Sequence, residues 1–570
     1  MATFNPATKP DWRSIAQSRR QHREKTIDAV RPAVPEVPRG LPSNVTGLPS
    51  QLLSSDVLDI TEKTTESLLG ELSHGTLSSA EVTTAFLQRA GQAQKLTNCV
   101  TELLTESAIE RPTYLDQFLK EHGKPIGILH GLPISVKEHI SVKGLDLNAG
   151  FASWVGRLGA DDALILKLLH RSGAVFFART TEPQTLMHLE CSTNILGVTG
   201  ALLDLRGFCL GIGTDIGGSI RSPAGNNGVY GLRPTTYRLP LDGFAATMLG
   251  EEQIVPVVGP MSTSLAGVKV FMKAIIDQQP WLYQPSLIPL PWKEPASQST
   301  GTLLRRGPDD RRKLRIGVLA DDGTVRPHSP ILRGMETLVD KLQSHPVVDD
   351  VPFPAYRHDE AWRIISSMYF ADGGAEDREA ISASGEPLLP MSEWILNQSP
   401  KKHALGLPEV WQLTCEREAY KAAYARHWNS VNTGLSTPGS STLLQVDAGD
   451  ILDLMVDVVL CPVGPGVAPV LNTAKYWNYT SQWNLLDFPA LVFPSGLSCG
   501  PEDIVDLTYL SRNEQDKYNH ELYDPAKYQD APVSLQLMAR RYEDEKLIEA
   551  LEFMLEIAAL SAEMDSKLQI

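Results

Sequence analysis

Residues 211–221 read Gly-Ile-Gly-Thr-Asp-Ile-Gly-Gly-Ser-Ile-Arg and directly follow the apolar stretch 208–210. An apolar run that enters a glycine-rich segment predicts a buried strand ending in a turn. Because glycine has no side chain, the backbone N–H groups of this turn can converge on one point beside the hydroxyl of Ser219. That arrangement suits an oxyanion hole next to a serine nucleophile. The rest of the chain must then supply a base that takes the proton of Ser219.

Outward from this turn, apolar strand-like runs alternate with helical patterns. Ser78 and Glu81 form a capping box that begins a helix, and Asp544–Leu560 predicts a closing helix. Continuous apolar runs that alternate with helices indicate an α/β fold whose sheet is covered on both faces. The predicted strands are 132–136, 174–177, 314–319, 456–460, 491–493 and 533–537, and a helix at 163–171 separates the first two.

The pattern predicts one α/β domain over residues 61–570, preceded by an N-terminal surface extension. The extension, residues 1–60, contains many Pro, Gly and Ser residues and one short helix around Trp12–Val30. Residues 278–310 hold many Pro and Ser residues and predict a surface insertion. No internal repeat stands out, and 570 residues are within the range of a large single-domain α/β enzyme.

Composition narrows the classes of partner. The net charge of −16 argues against non-specific binding of nucleic acid or anionic membranes, so a small molecule is the expected partner. No apolar run reaches the roughly 18–20 residues that span a bilayer. The six cysteines form no Cys-x-x-Cys pair, which favours reduced thiols and a cytoplasmic protein.

Histidine is the usual base for a serine nucleophile, so we looked for a motif that pairs a serine with a later histidine. Residues 496–500, Gly-Leu-Ser-Cys-Gly, match the Gly-x-Ser-x-Gly elbow, which requires a strand, a sharp turn, a helix and a later acid and His. His520 is the only later His and lies in a polar segment. A surface loop is therefore the favoured interpretation of 496–500.

Lys137 is the better candidate base. It ends the run Leu-Pro-Ile-Ser-Val-Lys, so its amine is expected at the end of a buried strand, where desolvation favours the neutral form. A lone lysine at a strand end is more often a solvated edge residue. The sequence motifs that accompany Lys137 favour a catalytic lysine instead.

Residues 131–138, Gly-Leu-Pro-Ile-Ser-Val-Lys-Glu, together with 211–221, resemble the amidase signature family. The resemblance covers roughly residues 60 to 560 and implies an α/β/α sandwich around a mixed twisted sheet in a single domain. It also implies hydrolysis of carboxylic amides to an acid plus ammonia or an amine by a Ser–cis-Ser–Lys triad, without a metal or organic cofactor. The blocks similar to fungal acetamidase-type amidases are 229–235, 257–260, 288–293, 381–387 and 531–536.

The resemblance assigns roles to matching positions. It makes Ser219 the acyl-forming nucleophile and Lys137 the ultimate base, and it places the substrate cleft along the main chain near Leu186. Each glycine also fits an ordinary tight turn, and Asp215 also fits a helix N-cap. A nucleotide-binding loop is disfavoured, because the spacing departs from Gly-x-Gly-x-x-Gly. The implied oxyanion hole consists of the amides of Ile216, Gly217, Gly218 and Ser219, braced by Asp215 and Arg221.

One family feature is absent from the sequence. Members carry Gly-Gly-Ser-Ser-Gly-Gly-Glu shortly before the nucleophile, and a Ser in that loop relays the proton to Lys. Here residues 194–199 run straight into 200–207, with the join between Thr199 and Gly200. Ser192, Thr193 or Thr199 would have to replace the relay hydroxyl, and the general-base contribution of about 10²–10⁴ is at risk.

Three explanations for the missing loop stay open: a false intron in the gene model, an inactive protein of this fold, or an altered site that still works. The first is favoured, because a decaying enzyme would more often lose Ser219 or Lys137 themselves. Residues 224–228, Ala-Gly-Asn-Asn-Gly, also lack the bulkier apolar residue usual in relatives.

Two other functions stay open beside the amidase. One is a non-catalytic binding protein of the same fold. The other is a transamidation subunit, which the acetamidase-like blocks from Ile288 onward disfavour. The oligomeric state is open, with a homodimer as one option.

Overall fold

The computed structural model describes residues 11–198, 202, 205–294, 303–306, 312–343, 345–431 and 455–568. Strands of this part of the chain build one large sheet and a separate two-stranded ribbon. The strands are β1 (Val100–Leu103), β2 (Pro133–Lys137), β3 (Val175–Thr180), β4 (Ser192–Thr193), β5 (Gly197–Val198), β6 (Leu210–Asp215), β7 (Tyr230–Arg233), β8 (Val257–Ser262), β9 (Arg305–Arg306), β10 (Arg312–Val318), β11 (Val348–Pro352), β12 (Val458–Pro462), β13 (Ala490–Ser498) and β14 (Pro532–Met538).

Helices surround the sheet, and none of those described is long and apolar enough to cross a membrane. Short 3-10 turns occupy Ala152–Trp154, Gln184–Leu186 and Pro280–Leu282. The α-helices are α1 (Trp12–Asp28), α2 (Pro49–Leu52), α3 (Ser55–Thr61), α4 (Thr65–His74), α5 (Ser79–Thr97), α6 (Ser107–His122), α7 (Leu164–Arg171), α8 (Arg221–Asn226), α9 (Leu265–Ile276), α10 (Ser329–Gln343), α11 (His358–Met368), α12 (Ala375–Ser384), α13 (Pro390–Leu396), α14 (Leu407–Ser430), α15 (Asn478–Leu486), α16 (Glu514–Leu522), α17 (Pro525–Tyr528) and α18 (Asp544–Leu568).

The large sheet is mixed. Its order is β1-β3-β2-β6-β8-β7-β13-β14-β12-β10-β11, with β9 paired to β10. β2 runs parallel to both β3 and β6, and β10 runs parallel to β11 and β12. Parallel neighbours need a crossover, which α7 provides between β2 and β3 and α10 provides between β10 and β11. The remaining neighbours pair antiparallel, so the sheet has the mixed pattern expected from the sequence.

Apolar side chains fill both faces of the sheet. In β12, Val458 and Leu460 belong to one buried cluster, whereas Val459 and Cys461 belong to a second. Because successive strand residues point to opposite faces, the two clusters lie on opposite sides of the sheet. Every residue of β2 is buried for the same reason. The prediction of a sheet covered on both faces is confirmed.

Most predicted elements occur within a few residues of their expected bounds. The capping box of Ser78 and Glu81 is present, with the Ser78 hydroxyl accepting from the Glu81 amide at 3.1 Å. The elbow at 496–500 is not formed: Ser498 ends β13, and the next helix, α16, begins at Glu514. A strand that runs on without a sharp turn into a helix cannot present a nucleophile. The expected surface loop is also wrong for 496–498, because these residues belong to β13, which pairs with β14.

The N-terminal segment packs against the main core. α1 contacts β1, and Ile27, Val30 and Val34 belong to the larger apolar cluster. Of the predicted insertion at 278–310, residues 295–302 and 307–310 lie outside the described residues, and Leu287 is buried. The domain limits at residues 60 and 278–310 stay predictions.

Candidate active site

Lys137 and Ser219 line the same cavity, whose volume is about 370 Å³. Lys137 is the last residue of β2, and Ser219 follows the end of β6. These strands are parallel neighbours, with Ser135 opposite Gly211 and Val136 opposite Ile212. The carboxyl ends of parallel strands meet at one edge of a sheet, which brings together two residues far apart in the chain.

Two glycines allow the turn before Ser219 to approach Tyr369 and α15 closely. Gly218 has φ +134°, and a Cβ added to it would lie 2.5 Å from the Thr480 Oγ1 atom. A Cβ on Gly217 would lie 2.8 Å from the Tyr369 hydroxyl oxygen. A side chain at either position would therefore displace the turn.

Asp215 holds the turn from beneath. Its carboxylate accepts hydrogen bonds from the amides of Gly218, at 2.9 Å, and Ile220, at 3.2 Å. The Arg221 guanidinium donates to the same carboxylate twice, at 3.0 Å each time, and both side chains are fully buried. Burial by itself would raise the pKa of Asp215, but the charge and hydrogen bonds of Arg221 lower it to about 2. Asp215 is thus an ionised anchor of the turn rather than an ordinary helix N-cap.

Arg221 extends this anchor to α15. Its guanidinium donates to the Thr480 backbone oxygen at 2.8 Å and to the Asn484 Oδ1 atom at 2.6 Å. Asn484 in turn donates to Asp215 at 2.9 Å. These are contacts through which Asp215 and Arg221 can brace the turn, and the bracing role stays a prediction.

The amides assigned to the oxyanion hole differ in availability. The Gly218 amide is engaged by Asp215, whereas those of Ile216, Gly217 and Ser219 have no partner among the described residues. The Tyr369 hydroxyl donates to the Ile216 carbonyl at 3.0 Å. Because a trans peptide points its C=O and N–H in opposite directions, this contact turns the Gly217 amide away from Tyr369. Three of the four proposed donors are therefore free to bind an oxyanion, and Gly218 is not.

The Lys137 side chain is buried, and a hydrogen bond orients its amine. Its Nζ atom donates to the Thr214 Oγ1 atom at 3.0 Å, and the residue is buried. Burial lowers the pKa of Lys137, against the opposing charges of Glu182, Cys191 and Asp215. Desolvation therefore favours a neutral amine, the form that a base requires.

A buried carboxyl group lies near this lysine. Burial raises the pKa of Glu182 well above its ordinary value, and the nearby Glu138 raises it further. The Glu182 Oε2 atom has no hydrogen-bond partner among the described residues. The raised pKa disfavours the charged form of Glu182, which is the form that opposes a neutral amine at Lys137.

Ser219 and Lys137 are not joined by a hydrogen bond. The Ser219 hydroxyl, in a half-buried residue, makes none with any described residue. Thr193 lines a different, small cavity, and its hydroxyl accepts from the Leu196 amide at 3.0 Å. Ser192 lies in the β4–β5 ribbon, while Thr199 and the Thr199–Gly200 join lie outside the described residues. No relay hydroxyl is thus seen bridging Ser219 and Lys137 in the described part of the chain.

The segment around Leu186 forms part of one wall. Pro183 and His188 line the cavity, but the Leu186 side chain packs with an apolar cluster that includes Phe151 and Trp154. Leu186 itself has φ +62°, which turns the chain sharply. The sequence predicts that the main chain near Leu186 lines the substrate cleft. In the structure, Pro183 and His188 line the cavity, and the Leu186 side chain packs elsewhere.

Residues 224–228 lie under the nucleophile turn. A Cβ on Gly231 would approach the Ala224 side chain to 2.6 Å, so the small Ala224 fits a close contact. Asn226 is half-exposed and lines the 370 Å³ cavity as well as a neighbouring one of about 70 Å³. Asn226 therefore faces the candidate site rather than the apolar core.

Sequence reasoning missed three residues at this site. Thr214 contacts Lys137, His139 contacts Thr214, and Glu190 closes the wall by accepting from the amides of residues 472–474. His139 lies two residues after Lys137, in the turn that follows β2. This closeness in sequence was the available signal, whereas the contact of Glu190 with a distant loop left none.

Fold and site together define a hydrolase of the amidase-signature class. A family model described as amidase matches residues 81–548. A Schizosaccharomyces pombe protein that is named as an amidase is 40% identical over 562 residues, covering 95% of this chain and 98% of that protein. The acetamidase of Emericella nidulans is 36% identical over 518 residues, covering 88% and 90%.

A solved structure gives the same result for the fold. The structure of a fatty acid amide hydrolase superposes with a TM-score of 0.85 at 29% identity, covering 97% of this chain and 98% of that one. The chain belongs to the amidase family. The predictions of family, of fold class and of an amidase are confirmed.

Proposed function

We propose that this amidase cleaves carboxylic amides with Ser219 as nucleophile and Lys137 as ultimate base. The observation that carries the proposal is their shared cavity at the ends of two neighbouring parallel strands. Lysine buried in its neutral form, beside a serine on a glycine turn, is a combination that serves acyl transfer. Two fungal relatives named acetamidases support short aliphatic amides as the first substrates to test.

The reaction proceeds in two steps. The Ser219 oxygen attacks the amide carbonyl carbon, its proton passes toward Lys137, and the carbonyl oxygen becomes an oxyanion held by the free amides of Ile216, Gly217 and Ser219. Collapse of the intermediate breaks the C–N bond, and the proton held by the base goes to the leaving ammonia or amine. Water then attacks the acyl-serine ester and releases the acid.

The proton path is the weak part of this site. Proton transfer needs heavy atoms about 2.6–3.2 Å apart, directly or through one water. Ser219 and Lys137 make no such contact, although the cavity between them has room for water. The absence of the family's relay loop at Thr199–Gly200 therefore predicts an enzyme slowed by about 10²–10⁴.

A non-catalytic binding protein is the second candidate, and the unbridged Ser219 hydroxyl favours it. The two candidates differ at the Thr199–Gly200 junction. Sequencing the transcript across these codons separates them: an in-frame segment for a Gly-Gly-Ser-Ser-Gly-Gly-Glu-like loop supports the enzyme. A seamless junction supports the binding protein.

Release of ammonia from short aliphatic amides tests the proposal directly. The wild-type chain is expected to release ammonia, and the variant Ser219→Ala is expected to lose that activity without losing its fold. Circular dichroism and thermal unfolding provide the control for folding. Equal turnover by wild type and Ser219→Ala would refute the assignment.

A further inference from the structure

A chain of hydrogen bonds leads from the candidate base away from the cavity. The Lys137 Nζ atom lies 3.0 Å from the Thr214 Oγ1 atom, which lies 3.0 Å from the His139 Nε2 atom. On the far side of the ring, the His139 Nδ1 atom lies 2.9 Å from the Ala245 backbone oxygen. All three side chains are buried, so bulk water does not compete strongly for these contacts.

The backbone carbonyl fixes the direction of the chain. A carbonyl oxygen only accepts, so His139 Nδ1 must carry the hydrogen that bonds to Ala245. In a neutral imidazole the other nitrogen then has only a lone pair, so Nε2 accepts. The Thr214 hydroxyl must therefore donate its single hydrogen to His139. Its oxygen lone pairs remain, and they accept from Lys137.

This direction matters for the amine. A neutral lysine amine has two N–H bonds and one lone pair, and the lone pair is what takes a proton. A hydroxyl free to rotate could donate to that lone pair and block it. With its hydrogen committed to His139, Thr214 can only accept an N–H from Lys137, and the lone pair stays available.

We propose that His139 is a positioning residue that, through Thr214, keeps the lone pair of Lys137 free to act as a base. The inference rests on the proposed role of Lys137 as base and adds the residue that orients it. His139 does not touch substrate, because Thr214 stands between it and the base.

Burial keeps His139 neutral. Burial is the main cause that lowers the pKa of His139 to about 3; the charge that Lys137 carries when protonated and the charge of Arg179 act in the same direction, and the Ala245 contact opposes them. The edge of the Phe244 ring packs against the imidazole at a centroid distance of 5.6 Å. The acceptor state of Nε2 therefore persists across the neutral pH range. Lys137 itself faces the charges of Glu182, Cys191 and Asp215.

The test compares four variants by their kcat/KM for a short aliphatic amide. His139→Leu is expected to lose about tenfold or more, because it frees the Thr214 hydroxyl to block the lone pair of Lys137. Thr214→Val is expected to lose about as much, because it removes the acceptor that orients the amine. The double variant is expected to lose no more than the worse single variant, because both act through one contact. Thr214→Ser keeps the hydroxyl and is expected to stay within about threefold of wild type.

A second readout does not depend on turnover. Lysine labelled with ¹³C at Cε allows the pKa of Lys137 to be titrated by NMR, with the signal assigned by its loss in Lys137→Met. His139→Leu is expected to lower that pKa in the wild-type background and to leave it unchanged in the Thr214→Val background. Only a residue that acts through Thr214 gives this dependence.

The possible results distinguish a failure of the positioning role from a failure of the proposed function. Wild-type kcat/KM in His139→Leu, or losses that multiply in the double variant, would overturn the positioning role. Equal pKa shifts in both backgrounds would overturn it as well. If the wild-type chain hydrolyses no amide, the proposed function fails, while the NMR comparison still decides whether His139 acts on Lys137 through Thr214.

Discussion

Asp215 and Arg221 form the strongest electrostatic anchor of the turn that presents Ser219. Both are fully buried, and the pair is completed by donors and acceptors from the turn and from α15. A buried ion pair is not by itself strong evidence of stability, because desolvation offsets the attraction. Its value here is positional, since Asp215 fixes the amides on either side of Ser219.

Removing one member of this pair should be far more costly than removing a surface pair. Asp215→Ala leaves Arg221 buried without its partner and is expected to lower the free energy of unfolding by about 3–5 kcal/mol. Lys269→Ala, which breaks a half-exposed pair with Glu552 at 3.0 Å, is expected to cost about 1 kcal/mol or less. Urea unfolding measures both values, and similar losses in the two variants would contradict the anchor.

The pH dependence of activity should follow Lys137. Only its neutral amine accepts a proton, so kcat/KM is expected to rise with pH through the pKa of Lys137 and then level off. Since burial lowers this pKa, the rise should lie below the range of an ordinary lysine. A pH–rate profile measures it, with Lys143→Met, at an exposed lysine, as a control that leaves the profile unchanged. A profile that falls with rising pH would exclude Lys137 as the base.

At the scale of elements, β6 and the turn after it place the nucleophile. β6 pairs with β2 on one side and with β8 on the other, so its end is held in the middle of the sheet. Gly217 then brings the backbone against Tyr369, and Gly218 brings it against Thr480 of α15. The helix α8 begins at Arg221, directly after this turn.

Glycine substitutions distinguish this turn from an ordinary helix. Gly218→Ala combines a φ of +134° with a Cβ 2.5 Å from Thr480 Oγ1, so it is expected to destabilise the fold and abolish activity. Gly70→Ala, inside α4 with no neighbouring atom within 4 Å, is expected to raise stability by about 0.5–1 kcal/mol. Thermal unfolding of both variants checks the pair, and a neutral Gly218→Ala would contradict the close approach.

The sequence predicts those strands and helices whose apolar residues follow a clear local pattern. The run 132–136 became β2 at Pro133–Lys137, and the closing helix begins at Asp544 as expected. The antiparallel β8, between β6 and β7, was not predicted as a strand, because pairing order depends on contacts distant in sequence. Lys137 and Ser219 were found from local motifs, whereas the contact of Thr214 with His139 requires knowing which hydroxyl faces which ring.

At the scale of the whole molecule, the family relationship spans nearly the full chain, while the sequence analysis predicts that one catalytic loop is missing. The cavity beside Ser219 is lined by residues from distant parts of the chain, including Cys99, Thr181, Leu202 and Pro469. Such a site tolerates an altered loop only if water can take over the relay of the proton. We therefore expect the proposed loss of activity to depend on the loop and the cavity together rather than on a single side chain.

Restoring the loop tests this impairment. Inserting a Gly-Gly-Ser-Ser-Gly-Gly-Glu segment, with the family's flanking residues, between Thr199 and Gly200 is expected to raise kcat/KM by about 10²–10⁴. The matched control carries Ala in place of both inserted serines and should gain little. Equal gains from the two insertions would show that the loop acts by shape alone.

The most direct test of the central claim is the site and pH dependence of labelling by a fluorophosphonate, which forms a covalent bond with an activated serine. Peptide mapping is expected to place the label on Ser219, at a rate that rises with the neutral fraction of Lys137 and falls in Lys137→Met. Label on another serine, or an unchanged rate in Lys137→Met, would contradict a serine nucleophile that depends on this lysine.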